Sequence, residues 1–156
     1  MRVQVYTDGG CRGNQARTNV GAWACYLVYG QHTREHYGAE RNTTNNKMEL
    51  MGAIMGLRSV KNKNVGVDLY TDSAYVYNGI NQWVYGWLKR GWKNAKKEPV
   101  KNSDLWKRLL EAKKPHNVTF MWVKGHAGHP ENERCDALAT AAADGKNLLE
   151  DTGFTC

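Results

Sequence analysis

The sequence predicts an α/β fold, a mixed five-stranded sheet with helices packed on it. Three observations carry that expectation. The first forty residues hold three apolar segments separated by turn-sized gaps, the pattern of strands joined as hairpins. Later apolar segments alternate with stretches of helical period, the pattern of strands joined by helical crossovers. Two of the strands run into the same short phrase, "YTDGG" and "YTDSA", which puts Asp8 and Asp72 at strand tips where a core would want apolar side chains.

Val3 to Thr7 alternates as a first strand, and GAWACYLVY (Gly21 to Tyr29) reads as a second. A turn at Gly30-Gln31 leads to a third, Thr33 to Ala39. From Asn46 to Val60 the residues Met48, Leu50, Met51, Ile54, Met55 and Leu57 recur at helical spacing, which reads as core packing. Val65 to Thr71 is the fourth strand, followed by helical pieces at Ala74–Tyr77 and Ile80–Lys89 and a basic stretch to Lys101. Ser103 is expected to cap a helix over Asp104–Lys113, with Leu105, Leu109 and Leu110 facing inward. Pro115 stops it, and Val118 to Val123 is the fifth strand. Pro130 opens a last helix that runs through Ala143 and closes near Gly145. Residues 146–156 read as a loosely attached tail.

At 156 residues, with 41% hydrophobic and 24% charged content, the chain is expected to form one soluble domain over residues 1–156. No apolar run reaches membrane-spanning length and the N-terminus lacks a signal-peptide layout, so a cytoplasmic protein is expected. Cys11, Cys25, Cys135 and Cys156 show no zinc spacing and read as free thiols in a reducing compartment. A net charge of +7 favours a polyanionic partner.

Ligands in open α/β sheets gather beyond the carboxyl ends of the strands. If the first and fourth strands are neighbours, Asp8 and Asp72 converge, and two carboxylates stay ionised together only with a cation between them. An all-oxygen ligand set suits Mg²⁺ or Mn²⁺. Glu49, placed on the first turn of the long helix beside Met48 and Leu50, and Asp136, beside Cys135 and Leu138, could join them. Taken singly, each acid could be a helix cap or a surface charge; the coincidence of four favours ligands. In "VKGHAGHPENERCD", His126 lies on a Gly-flanked loop and could relay protons near neutral pH, whereas His129, before Pro130, reads as a solvated loop residue.

Residues 89–101, KRGWKNAKKEPVK, set six basic residues against one acid, and four of the six tryptophans (Trp83, Trp87, Trp92, Trp106) fall in or beside them. Lysines interleaved with tryptophans offer phosphate neutralisation and a stacking surface together. Trp83 and Trp87 are expected to line a nucleic-acid channel, and Trp106, spaced with Leu109, to be core.

"YTDGGCRGN", "TTNNKMELMGAI", "YTDSAYV", "KRGWK…PVKNSDLW" and "WVKGHAGHPENERCDALA" together resemble bacterial-type ribonuclease HI, in order and spacing over nearly the whole chain. The resemblance implies an RNase H-like fold with strand order 3-2-1-4-5 and endonucleolytic cleavage of the RNA strand in RNA–DNA hybrids by a monomer. It implies that Asp8, Glu49, Asp72 and Asp136 bind metal, with His126 assisting proton transfer or product release. Two Mg²⁺ ions, about 4 Å apart, would clamp the scissile phosphate and leave 5′-phosphate and 3′-hydroxyl ends, with Mn²⁺ as a substitute. Asn14, Asn45 and the backbone at Cys11 are then expected to read 2′-hydroxyls in the minor groove. Thr44 and Asn102 match positions that hold a DNA phosphate, and Trp83, Trp87, Lys89, Arg90 and Lys93 match the family's basic protrusion.

Three departures stand against that pattern. Ala74 replaces a glutamine that contacts the groove, and Gln15–Val20 replaces a Pro/Gly-rich loop. "AERNTTNN" is one residue longer, leaving Arg41 and Asn42 as alternatives for approaching the DNA phosphate. They bear on substrate affinity and cut-site preference. Competing expectations are a catalytically silent hybrid-binding module, another nuclease or recombinase of the same fold class, and a domain cut from a reverse transcriptase. The four intact carboxylates, the asparagine set and the Met1 start weigh against these in turn.

Overall fold

The structure, a computed structural model, describes residues 2–12, 20–61, 65–124, 130–143 and 149–150. Strand β1 (Arg2–Arg12) lies at the centre of one sheet. It pairs antiparallel with β2 (Val20–Tyr29), which pairs antiparallel with β3 (His32–Arg41) through a turn where Gly30 takes a left-handed φ of 61°. On its other side β1 pairs parallel with β4 (Gly66–Thr71), and β4 pairs parallel with β5 (Asn117–Trp122). The five strands therefore run 3-2-1-4-5, as expected.

The sheet departs from the sequence reading in two places. β1 continues to Arg12 rather than ending at Thr7, because Asp8 to Arg12 keep their ladder with Ala24 to Val20 after β4 has left. The apolar alternation stops earlier than the strand, since Gly9 and Gly10 are poor strand formers held by pairing alone. The tail is not wholly loose: Leu149–Glu150 (β6) runs parallel to Glu40–Arg41 at the outer edge of β3.

Helix α1 (Asn45–Arg58) is capped by Thr44, whose hydroxyl accepts the Lys47 N–H at 3.2 Å. It packs on β1 and β2. The helix carries Gly52 and Gly56 one turn apart, and a Cβ on Gly52 would lie 2.9 Å from the Asp8 carbonyl oxygen. From the strand side, a Cβ on Gly9 would lie 2.6 Å from the Glu49 backbone nitrogen and run into the Met48 carbonyl. Helix and strand thus meet backbone to backbone. Val5, Leu50, Ile54, Leu57, Val67 and Leu69 are fully buried in the core around this contact.

The two helical pieces expected after β4 are continuous: α2 (Ala74–Asn78), a π-helical turn at Gly79–Trp83, and α3 (Val84–Lys89). Gly79, which fell between the two expected pieces, abuts the ring of Trp106, where any Cβ would overlap it. Helix α4 (Ser103–Lys113) starts at Ser103 rather than after it. Its N-cap is Asn102, in a left-handed conformation with φ 59° and no side-chain cap bond. Trp106 and Leu109 of α4 are fully buried, as expected of core residues.

The last helix, α5 (Pro130–Ala143), packs on β1, β2 and β3. Its Cys135 thiol donates to the Tyr6 carbonyl at 3.2 Å. Burial pushes the Cys25 thiol up to about 12 and raises Cys135 as well, so both act as small buried residues.

Gly52→Ala separates two opposed effects. Alanine in a helix interior gains about 1 kcal/mol by propensity, whereas a methyl forced against a fixed backbone costs about 1–3 kcal/mol. The contact should win, so urea denaturation should show Gly52→Ala less stable than the parent. A more stable variant would mean that α1 lies further from β1.

Candidate active site and nucleic-acid interface

Tyr6↔Tyr70 is the last pair in the parallel register of β1 and β4. Asp8 and Asp72 each lie two residues beyond it, so they leave the paired region at the same level. Asp72 follows the end of β4, as expected of a strand tip; Asp8 sits within β1, at the point where that strand loses β4 and keeps β2. The Asp8 carboxylate accepts the Gly9 N–H at 2.9 Å. Ser73 accepts the Val76 N–H at 3.1 Å and caps α2. Capping is therefore met by the serine, not by Asp72.

Glu49 comes from α1. It is the fifth residue of that helix, in its second turn rather than its first, because the helix begins at Asn45. Only 9% of its surface is exposed. The Gly9 contact holds its backbone against β1, and ligand atoms of Asp8, Glu49 and Asp72 all lie within 4.8 Å of one another. Three elements thus bring three acids together.

This cluster is unfavourable on its own. Burial first, then the negative charges of Asp72 and Asp8, hold the Glu49 carboxyl well above the usual carboxylate range. The Glu49 Oε1 is buried and has no hydrogen-bond partner among the described residues. A buried, unsatisfied oxygen between two acids is the arrangement that a hard divalent cation satisfies, and an all-carboxylate donor set suits Mg²⁺ or Mn²⁺ rather than zinc. The residues present therefore fit a divalent ion.

Three further candidates fall wholly or partly outside this picture. Asp136 lies on α5, directly after Cys135, which anchors that helix to Tyr6 of β1. The side chain of Asp136, like Asn14, His126 and residues 15–19 of the altered loop, lies outside the described residues.

Beside the acids, Asn45 at the start of α1 accepts the Cys11 backbone N–H through Oδ1 at 2.6 Å. That bond fixes the carboxamide and turns Nδ2, a donor, to other acceptors. Thr44 uses its oxygen to cap α1, so its O–H hydrogen can point elsewhere. Arg41 is exposed at the end of β3, while Asn42 is half-buried and turns the chain toward α1 with φ 55°. Ala74 is the exposed first residue of α2.

On α3 and beyond, Lys89, Arg90 and Lys93 are exposed, and Arg90 Nε donates to the Lys93 carbonyl at 3.1 Å. Trp83 is 39% exposed and lies 6.0 Å, ring to ring, from the half-buried Trp87. Trp87 packs in turn on Trp106 at 5.4 Å. The strip is a basic surface over an aromatic base rooted in the core. Sequence reasoning missed the part played by Gly9, Gly52 and Gly56. The Gly-x-x-x-Gly spacing of 52 and 56 on one helix face was the available signal.

A family model described as RNase H matches residues 1–144. The chain belongs to the RNase H family. It is 55% identical to ribonuclease H of Lachnoclostridium phytofermentans over 157 residues, 97% of this chain and 98% of the relative. Ribonuclease H of Aeromonas hydrophila is 53% identical over 153 residues, 98% of this chain and 97% of that one. Among solved structures, LC9-RNase H1, described as a type 1 RNase H with the type 2 active-site motif, superposes with a TM-score of 0.79 at 33% identity. The match covers 97% of this chain and 78% of that one. LC11-RNase H1 in complex with an RNA/DNA hybrid shares the fold, with a TM-score of 0.68 at 20% identity over 91% of this chain and 96% of that one. Asp8, Glu49 and Asp72, which cluster here, are three of the four acids that the sequence offered as ligands, the side chain of the fourth, Asp136, lying outside the described residues.

Because Glu49 titrates higher in the folded chain than in the unfolded one, the folded state binds the extra proton. Without divalent ions its stability should fall as pH rises from the ordinary carboxylate value of 4.5 through the raised Glu49 value. Glu49→Gln should remove that fall, giving a higher melting temperature than the parent near pH 7.5 in EDTA. Added Mg²⁺ should then raise the melting temperature of the parent more than that of the variant. Thermal melts across pH, with and without Mg²⁺, check both directions.

Proposed function

We propose that this RNase H is an endoribonuclease that hydrolyses the RNA strand of RNA–DNA hybrids with two divalent ions, leaving 5′-phosphate and 3′-hydroxyl ends. The observation that carries the reading is the buried, unpartnered oxygen of Glu49 between Asp8 and Asp72. Kinship with full-length ribonucleases H supports it.

In this reading Asp8, Glu49 and Asp72 hold the ions, Mg²⁺ or Mn²⁺, and Asp136 is the fourth ligand. Such ions lower the pKa of an attacking water and neutralise charge on the leaving 3′-oxygen. The chain's own work is placement. The β1–β4 register and the α1 contact fix the carboxylates before substrate arrives, so little rearrangement is needed in the reaction. His126 would assist proton transfer or product release. No side-chain nucleophile is needed.

Choice of a hybrid needs donors and acceptors that meet 2′-hydroxyls in a wide minor groove. Asn45 Nδ2, with Asn14 and the Cys11 backbone, fills that role. Thr44 and Asn102 hold a phosphate of the DNA strand. Lys89, Arg90 and Lys93 neutralise further phosphates above Trp83 and Trp87, so binding should weaken with salt. The protein acts as a monomeric single domain in the cytoplasm, where its three described cysteines stay reduced.

The test is end-labelled RNA–DNA hybrid, RNA–RNA and DNA–DNA duplexes of one sequence, each with Mg²⁺ or EDTA. Only the RNA of the hybrid should be cut, and only with Mg²⁺. Asp8→Asn should cost at least about a thousandfold in rate, since it removes charge that holds the ions; full activity in that variant would overturn the mechanism. Asn45→Ala should narrow the preference for hybrid over DNA duplex in competition binding. An unchanged preference would remove that asparagine from the groove.

A further inference from the structure

Asn102 is in an unusual state for the residue that precedes a helix. Its backbone is left-handed, φ 59° and ψ 28°, and its side chain makes no bond to the α4 N-terminus, the ordinary task of asparagine there. Instead Asn102 Nδ2 donates to the Tyr75 hydroxyl at 3.2 Å, across 27 residues of chain. The same hydroxyl accepts the Trp106 Nε1–H at 3.0 Å. Trp106 is fully buried and its indole N–H can only donate, so it pins the Tyr75 oxygen from below. The Tyr75 ring is held as well, 5.3 Å from Trp106 and 5.9 Å from Trp83. Tyr75 itself sits three residues after Asp72, in the helix that Ser73 caps.

We propose that the Tyr75 hydroxyl is a positioning group: it sets the Asn102 carboxamide at the angle needed to grip a phosphate of the DNA strand. The inference rests on the phosphate role given to Asn102 above. Without the tyrosine oxygen the Asn102 carboxamide loses the bond that orients it, and its left-handed backbone keeps it out of the capping geometry that could orient it instead. The chain Trp106–Tyr75–Asn102 therefore ties a substrate contact to the core, and through α2 to the loop that carries Asp72. A site built this way binds substrate with its amide already aimed.

Tyr75→Phe keeps the ring and removes only the oxygen. KM for the hybrid should rise about fivefold, the net size of one misaimed hydrogen bond, with kcat within about twofold of the parent. Methylphosphonate placed singly along the DNA strand should show one phosphate whose neutralisation weakens the parent more than it weakens Tyr75→Phe, which keeps only the Thr44 contact there, the other positions being unchanged. Adding Asn102→Ala to Tyr75→Phe should cost less than the sum of the two single effects. A parental KM in Tyr75→Phe, the same methylphosphonate profile in both proteins, or fully additive effects would overturn the proposal. A parent protein that leaves the hybrid uncut would instead remove the reading beneath it. In that case the Asn102 side-chain amide resonances of the free protein decide the positioning claim, and resonances unmoved by Tyr75→Phe would refute it.

Discussion

The rest of the molecule depends on helix α1 lying so close on strand β1 that backbone meets backbone at Gly9 and Gly52. Gly9 on the strand, and Gly52 and Gly56 on the helix, remove the Cβ atoms that would otherwise hold the two apart. Ordinary helix–strand packing interposes a layer of side chains, and a carboxylate on the helix would then sit too far from the sheet to meet one on it. Here the Glu49 backbone nitrogen is close enough to Gly9 that no methyl fits between. The acid is delivered into the fork where β1 and β4 part. Gly52 and Gly56 weaken the helix by propensity. That cost is accepted where geometry demands it and offset by the buried surface of Leu50, Ile54 and Leu57.

The same contact creates an electrostatic problem. Three carboxyl groups converge in a largely dry place, and burial with like charge pushes Glu49 toward its protonated form. The Glu49 Oε1 has no hydrogen-bond partner among the described residues. Fold stability and ion binding therefore pull in opposite directions at this point, as expected where a site is built for a ligand that supplies the missing charge. The basic strip is the outer counterpart. Its lysines and arginine stay at the surface, over tryptophans whose deepest member, Trp106, belongs to the core.

Much of this was legible in the sequence, and the exceptions have physical causes. Period and punctuation located the five strands and the long helices, because burial on one face imposes those periods. Asp8 and Asp72 were legible as anomalies, carboxylates where apolar residues belong. The true end of β1 was not legible, since Asp8 to Arg12 hold strand geometry through pairing with β2 and not through propensity. Asn102 hid its role for a related reason. Its side chain ignores the helix it precedes and bonds to Tyr75, a partner that sequence distance conceals. Ser103, a good capping residue by type, was displaced by the left-handed Asn102 before it. The motifs shared with ribonuclease HI named the acids directly; the glycines that bring them together were silent until the packing was seen.

The central claim is that close packing of α1 on β1 makes Asp8, Glu49 and Asp72 one cluster that binds divalent cations. Crystals of this protein grown with Mn²⁺, and diffraction measured for the anomalous signal of manganese, test it most directly. The account predicts manganese within bonding distance of carboxylate oxygens of all three residues. Manganese bound elsewhere on the chain, with Glu49 still buried and unligated, would contradict it.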